Sequence, residues 1–248
     1  SQAQVVYKFK DANGKIIYSD SIPTNEKSEY SILSGKSGVL KKVVDKELTQ
    51  EEAEKLAKYS SIPIINGLTD TEHPCQVLAD LMTIRENKNI LESLKVAFIG
   101  DGNNMANSLM IGCLKVGMNF AIASPKEYTA SDAYINRAKE IAEKEGVTFT
   151  VTTSPAEAAK DADVSITDVW TSMGHEDEAA ARAKAFEGFQ INKELMTLAD
   201  KNAMVLHCLP AHRGEEITAE VLEEHADSIF DESENRLHAQ KGVMVWLD

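Results

Sequence analysis

From Ile62 onward, short apolar runs alternate with longer stretches of helix-forming composition, and this alternation limits the possible folds more than any other feature. Lys95 to Gly100, Asn119 to Ala123, Thr148 to Thr152, Val164 to Thr167 and Met204 to His207 read as strands. Pro74 to Glu86 and the stretch through Met110 to Val116 read as helices, and Ile62 to Asn66 as a further brief strand. Strands and helices alternating at this spacing predict an α/β fold, a doubly wound and mostly parallel sheet covered on both faces. Ligands of such sheets bind beyond the carboxyl ends of the strands, so the residues just after each strand are the informative ones.

The first 55 residues follow another pattern. Val5 to Lys10 and Lys15 to Ser19 flank Asp11-Ala12-Asn13-Gly14, and Asn-Gly predicts a β-hairpin. Thr49 and Glu52 form a capping box that opens a helix through Glu54, Leu56 and Ala57. Ser34-Gly35-Lys36-Ser37-Gly38 is no phosphate loop, because the required earlier glycine is Tyr30. This segment holds nine lysines, no arginine and nine acids, so the whole net charge of −14 lies in residues 56–248. Such a charge opposes nucleic acid and acidic membrane surfaces as partners, while leaving room for a local cationic pocket. No run approaches the ~20 apolar residues that cross a bilayer. Cys75, Cys113 and Cys208 form no CxxC pair, which points to a reducing, cytoplasmic setting, and no signal-peptide pattern stands at the N-terminus.

Gly100-Asp101-Gly102-Asn103-Asn104 follows a strand and opens a helix, suiting an anion or polar ligand. A dinucleotide fingerprint needs glycine at position 105 and an acid after the next strand, where Met105 and Ser124-Pro125 stand. Asp168 to Gly174 follows another strand. Its carboxylate either holds a substrate ammonium or caps the next turn. His207-Cys208-Leu209-Pro210 follows a third strand, and Cys208 is a nucleophile, a positioning group or a small core residue. His73-Pro74-Cys75-Gln76 starts a helix, where imidazole and carboxamide can donate to a carbonyl or phosphate oxygen. Glu234-Asn235-Arg236 is read as the opening of the last helix, with Arg236 suited to phosphate. His207, His212, His225 and His238 lack a metal-ligand spacing, so no metal site is expected.

In order along one chain, Asn66 to Asp70, His73 to Asp80, the Gly-Asp-Gly-Asn-Asn turn, Asp168 to Gly174, His207 to Pro210 and Glu234 to Arg236 resemble the ornithine carbamoyltransferase family from about Leu56 to Asp248. The resemblance implies transfer of a carbamoyl group from carbamoyl phosphate to the δ-amine of L-ornithine, as in arginine biosynthesis or the urea cycle, without metal or cofactor. It implies that His73 and Gln76 hold the carbamoyl oxygen and nitrogen and that Arg236 binds phosphate. Asn104, Asp168, Ser172 and Met173 hold the amino-acid end of ornithine, and Cys208 and Leu209 line the reacting carbon. Asp168 and Cys208, with His73, are thereby the catalytic group. Family members form trimers with sites between subunits.

The chain also departs from the family pattern. The Ser-Thr-Arg-Thr phosphate loop is absent and the first arginine is Arg85. The expected organisation is residues 1–55 as an unrelated hairpin-plus-helix segment, resembling a small domain of secreted bacterial proteins, then 56–94 as an incomplete carbamoyl-phosphate domain. Residues 95–232 form the ornithine-binding domain, and 233–248 a helix packing back on the first. Loss of several charge-assisted phosphate contacts, each worth ~1.5–3 kcal/mol, implies weak carbamoyl phosphate binding and little ordinary activity. The alternative is an inactive amino-acid-binding or interaction protein.

Overall fold

A computed structural model describes residues 5–10, 16–19, 30–34, 40–43, 50–61, 63–171 and 178–247. The chain divides into two compact units, Ser1–Leu48 and Thr49–Asp248. In the first, β1 (Val5–Lys10), β2 (Ile16–Ser19), β3 (Tyr30–Ser34) and β4 (Leu40–Val43) form an antiparallel sheet in the order β2-β1-β3-β4. The expected hairpin is present, with Lys10 opposite Ile16 and Tyr7 opposite Ser19. Its turn, residues 11–15, and the Gly35 to Gly38 stretch lie outside the described residues. The strands β3 and β4 escape a sequence reading because each holds only two apolar aliphatic residues among serine or lysine.

The second unit begins with α1 (Gln50–Tyr59), where the capping box predicts a helix, although Thr49 itself is not described. There follow α2 (Pro74–Lys88), β5 (Lys95–Ile99), α3 (Asn104–Lys115), β6 (Asn119–Ala123), α4 (Asp132–Glu145), β7 (Phe149–Thr152) and α5 (Pro155–Ala159). After these come β8 (Val164–Thr167), α6 (Ala179–Ala185), α7 (Lys193–Met196), β9 (Met204–His207), α8 (Ala219–Glu224) and α9 (Ala226–Leu247).

All five described strands of this unit are parallel, in the order β7-β6-β5-β8-β9. The chain enters at the centre, winds to one edge through β6 and β7, and returns through β8 and β9 to the other. The winding reverses between the neighbours β5 and β8, and a crevice opens there outside the strand ends. Period-two alternation sorts the strand residues between two cores. Val96, Phe98, Phe120, Ile122 and Leu206 pack with α2, α3 and α4. Ala97, Ile99, Ala121, Ala123 and Val205 face the opposite layer with Phe186, Val221 and Ile229. Complete burial of a Phe or Ile is worth about 1.5–3 kcal/mol each, which makes β5, with Val96 to Ile99 fully buried, the anchor of the sheet.

Two expectations are corrected. Residues 63–66 form no strand, and Ile64 and Ile65 are 37% and 42% exposed. A strand is stable only when its backbone pairs with a neighbour and one face is covered, and among the described residues nothing pairs with this segment. The last helix does not open at Glu234 but at Ala226, one residue after α8 is capped at His225. No glycine or proline interrupts 226–241, and the buried Ile229, Glu232 and Asn235 mark the face it packs inward.

The loop after β5 depends on Gly102. Its N–H donates to the Tyr128 carbonyl at 2.7 Å, and a Cβ there would lie 2.1 Å from the Ala130 nitrogen. Backbone cannot yield as a flexible side chain does, so Gly102→Ala is expected to destabilise the chain by about 1–3 kcal/mol and displace the start of α3. Urea unfolding of the two proteins checks this; equal midpoints contradict it.

Candidate active site

A cleft of about 510 Å³ lies at the carboxyl ends of the strands, lined by residues that include Leu68, His73, Asn104, Asp168, Thr171, Cys208, Leu209, His212, Glu215 and Arg236. Six of the nine residues singled out from sequence therefore share one cavity: His73, Asn104, Asp168, Cys208, Leu209 and Arg236. Gln76, 1% exposed, sits behind it and bonds to Arg236. Ser172 and Met173 lie outside the described residues.

At the switch point Asp168 directly follows β8. Its Oδ1 accepts from the Val169 N–H at 2.8 Å and from the Cys208 Sγ at 3.2 Å, and its Oδ2 accepts from Asn103 Nδ2 at 2.9 Å. Each carboxylate oxygen has room for about two donors. Oδ1 is therefore filled, and Oδ2 keeps one acceptor position. Burial, with the nearby acids Asp168 and Glu232, pushes the Cys208 thiol well up. A protonated thiol donating to Asp168 is a positioning group, not a thiolate nucleophile.

Asn103 is a functional residue that the sequence reading passed over. Its Oδ1 caps α3 by accepting from Met105 and Ala106 at 3.0 and 3.2 Å, which leaves Nδ2 aimed at Asp168. An Asn immediately before a helix is the signal that marks it. With these first-turn N–H groups taken by its own cap, the helix has less to offer a dinucleotide phosphate. Asn104 is turned toward the other wall, donating through Nδ2 to the Thr69 carbonyl at 3.1 Å.

The opposite wall is where α2 and α9 pack together. His73 caps α2 without a side-chain cap bond, and its backbone N–H donates to Ser108 Oγ at 2.7 Å. Burial and the positive charge of Arg236 lower the pKa of its ring below the usual histidine value, which favours the neutral form. His73 Nδ1 and Arg236 Nε are buried with no hydrogen-bond partner among the described residues. Buried polar atoms are rarely left unpaired, and these two belong to side chains that line the cleft.

Gln76 spends both of its N–H donors here and one of the two acceptor positions of its oxygen. Oε1 accepts from Arg236 Nη1 at 2.7 Å, and Nε2 donates to Asp80 Oδ1 at 2.8 Å and to Glu232 Oε1 at 3.0 Å. Burial raises Asp80 to about 6, and burial next to Asp80 raises Glu232 well above the usual carboxylate range. Glu232 Oε2 accepts the His207 N–H at 2.8 Å, so this one carboxyl joins α9 to α2 and to the end of β9.

Two further ties hold the loops. The His207 Nδ1 accepts from the Leu209 N–H at 2.9 Å, which leaves Nε2 to donate to Glu216 Oε1 at 3.0 Å. That oxygen also accepts from the His212 N–H at 2.6 Å. The ring thus fixes the Cys208-Leu209 turn, where Leu209 adopts a φ of 53°. Donor atoms of His212, Glu215 and Glu216 lie within 4.8 Å of one another, but Glu216 is already committed to this backbone network. Below the Asp168 loop, Arg182 Nη1 bonds Asp101 Oδ2 at 2.6 Å and the Trp170 carbonyl at 3.1 Å, and its guanidinium lies over the Tyr128 ring.

The chain matches two family models, "Aspartate/ornithine carbamoyltransferase, Asp/Orn binding domain" over residues 92–247 and "Aspartate/ornithine carbamoyltransferase, carbamoyl-P binding domain" over residues 35–86. The second match begins ahead of Leu56. An ornithine carbamoyltransferase of Gloeobacter violaceus is 55% identical over 198 residues, covering 80% of this chain and 63% of that protein. One from Caldicellulosiruptor saccharolyticus is 50% identical over 205 residues, covering 83% and 67%. The chain thus spans less than two thirds of the Gloeobacter relative's length. Among solved structures, an anabolic ornithine carbamoyltransferase of Campylobacter jejuni superposes with a TM-score of 0.77 at 44% identity, covering 81% of this chain and 66% of that one. The Pyrococcus furiosus enzyme gives 0.75 at 47%, covering 79% and 63%. The order of motifs, the parallel sheet with its switch-point cleft and these matches agree: the chain belongs to the aspartate/ornithine carbamoyltransferase family.

Proposed function

We propose that the cleft binds L-ornithine and carbamoyl phosphate and moves the carbamoyl group to the δ-amine, giving L-citrulline and phosphate. The observation that carries this reading is the polarity of the cleft: an acceptor with one open position, Asp168 Oδ2, at one end, and unpaired His73 Nδ1 and Arg236 Nε at the other. Asp168, with Asn104, Ser172 and Met173, holds the amino-acid end of ornithine. His73 and Gln76 hold the carbamoyl oxygen and nitrogen, and Arg236 the phosphate. The His73 ring donates to the carbamoyl oxygen as negative charge grows there in the transition state. Phosphate is a good leaving group, so aligning the amine with the carbonyl carbon suffices, and no covalent intermediate on Cys208 is required. Cys208 and the Leu209 carbonyl border the reacting carbon. The Asp168–Cys208 pair governs the proton that ornithine's δ-ammonium must lose.

In this reading residues 56–94 belong to the carbamoyl-phosphate side, 95–232 to the ornithine domain and 233–248 to the helix that returns to it, as the packing of α9 along α2 supports. Residues 1–34 lie outside both family matches. Resemblance to the family further suggests a homotrimer. Among the described residues no helix is long and apolar enough to cross a membrane, and the free thiols of Cys75, Cys113 and Cys208 favour a cytoplasmic site.

One observation favours a second reading. The 248 residues contain no Ser-Thr-Arg, the phosphate loop of the family pattern. In that case the chain binds ornithine without turning it over. Calorimetry with each substrate, alongside a citrulline assay, separates the two: ornithine binding with turnover supports transfer, and ornithine binding alone supports the second.

Asp168→Asn removes the charge from the ornithine contact. Loss of a charge-assisted bond of about 1.5–3 kcal/mol weakens ornithine binding about 10- to 100-fold. An unchanged Kd by calorimetry contradicts the assignment of Asp168.

A further inference from the structure

We propose that Glu232 and Asp80 form a buried acid pair sharing one proton, seated on Glu232, and that by accepting both N–H bonds of Gln76 this pair forces the carboxamide oxygen toward the ligand. The inference rests on the carbamoyl-transfer reading for its ligand but not for its geometry. Asp80 Oδ1 and Glu232 Oε1 each lie within 3.0 Å of the same nitrogen, and both residues are 0% exposed. Among the described residues neither carboxyl forms an ion pair. Arg236 bonds instead to the Gln76 oxygen. The other charged and titratable groups facing the pair are Asp168 beyond β8, Cys208 beyond β9 and Cys113 on α3, none of them a cation. Two adjacent buried carboxylates without a contacting cation do not both ionise. Glu232 Oε2 is taken up by the His207 N–H, so a proton on this carboxyl has Asp80 as its acceptor.

The consequence is chemical selection. A primary carboxamide can rotate to offer either an oxygen or an NH₂, and those two faces recognise opposite partners. With both N–H bonds held by the acid pair, Gln76 can offer a ligand only Oε1, which already accepts one bond from Arg236. A carbamoyl NH₂ fills the second acceptor position of that oxygen; the methyl of an acetyl group leaves it empty. Asp80 and Glu232 are therefore positioning residues, which act through Gln76 and do not touch substrate.

Glu232→Gln imitates the protonated acid, because its oxygen still accepts and its NH₂ still donates to Asp80. Glu232→Ala removes the constraint. In the full chain at pH 7, infrared spectroscopy is expected to detect a buried protonated carboxyl band that vanishes in E232Q and persists in D168N. Wild type and E232Q are expected to prefer carbamoyl phosphate over acetyl phosphate, and E232A to lose about tenfold or more of that preference, the equivalent of one buried hydrogen bond. Persistence of the band in E232Q, its absence from wild type, or an unaltered preference in E232A overturns the proposal. If wild type binds neither phosphate, the transfer reading fails instead, while the infrared result still decides whether the pair shares its proton.

Discussion

The Glu232 carboxyl is the contact on which the working half of this molecule is organised. It joins three elements that are far apart in sequence: Gln76 on α2 across 156 residues, its own helix α9, and the His207 N–H at the end of β9. Such a group is unfavourable by itself, because burying a carboxyl costs several kcal/mol unless its lone pairs and proton are all engaged. Here both oxygens accept hydrogen bonds, and the neighbouring Asp80 offers an acceptor for a proton. The same α2–α9 seam is reinforced a turn further along, where Asn235 Nδ2 donates to Thr83 Oγ1 and Glu86 Oε2. Polar bonds of this kind specify one register of two helices where apolar contact alone would accept several.

From this seam the cleft follows by geometry. The parallel sheet brings the ends of β5, β8 and β9 to one edge, and the reversal between β5 and β8 leaves the space in which Asp168 stands. The wall from α2 and α9 brings His73 and Arg236 opposite it. Each side chain is then aimed by a neighbour: Asp168 by Asn103, the Cys208-Leu209 turn by His207 with Glu216, and the loop beneath Asp168 by Arg182. Rigid support of this sort is what a reaction driven by alignment and electrostatics requires.

Much of this was legible in the residues. Apolar runs bounded by glycine and polar residues mark β5, β6, β8 and β9 to within a residue, because a strand buried on both faces has little choice of composition. The motifs after those strands led to Asp168 and Cys208, and the helix-start motif to His73. Asp80, Glu232, Glu216 and Arg182 were not legible: each is an ordinary charged residue until tertiary packing places it in the interior. Asn103 carried a local signal as a helix cap, while its bond to Asp168 depends on β8 lying beside β5. The Ile62 to Asn66 run misled for the converse reason. Apolar β-branched composition predicts a strand only where a partner strand exists, and residues 63–66 have none among the described residues.

The central claim is that the switch-point cleft is a substrate site whose acceptor end is Asp168. A crystal structure of the chain grown with L-ornithine tests it most directly. The account predicts an ornithine ammonium on Asp168 Oδ2, with the δ-amine directed past Cys208 toward His73. Ornithine bound elsewhere on the molecule, or lying in the cleft with its carboxylate against Asp168, contradicts it.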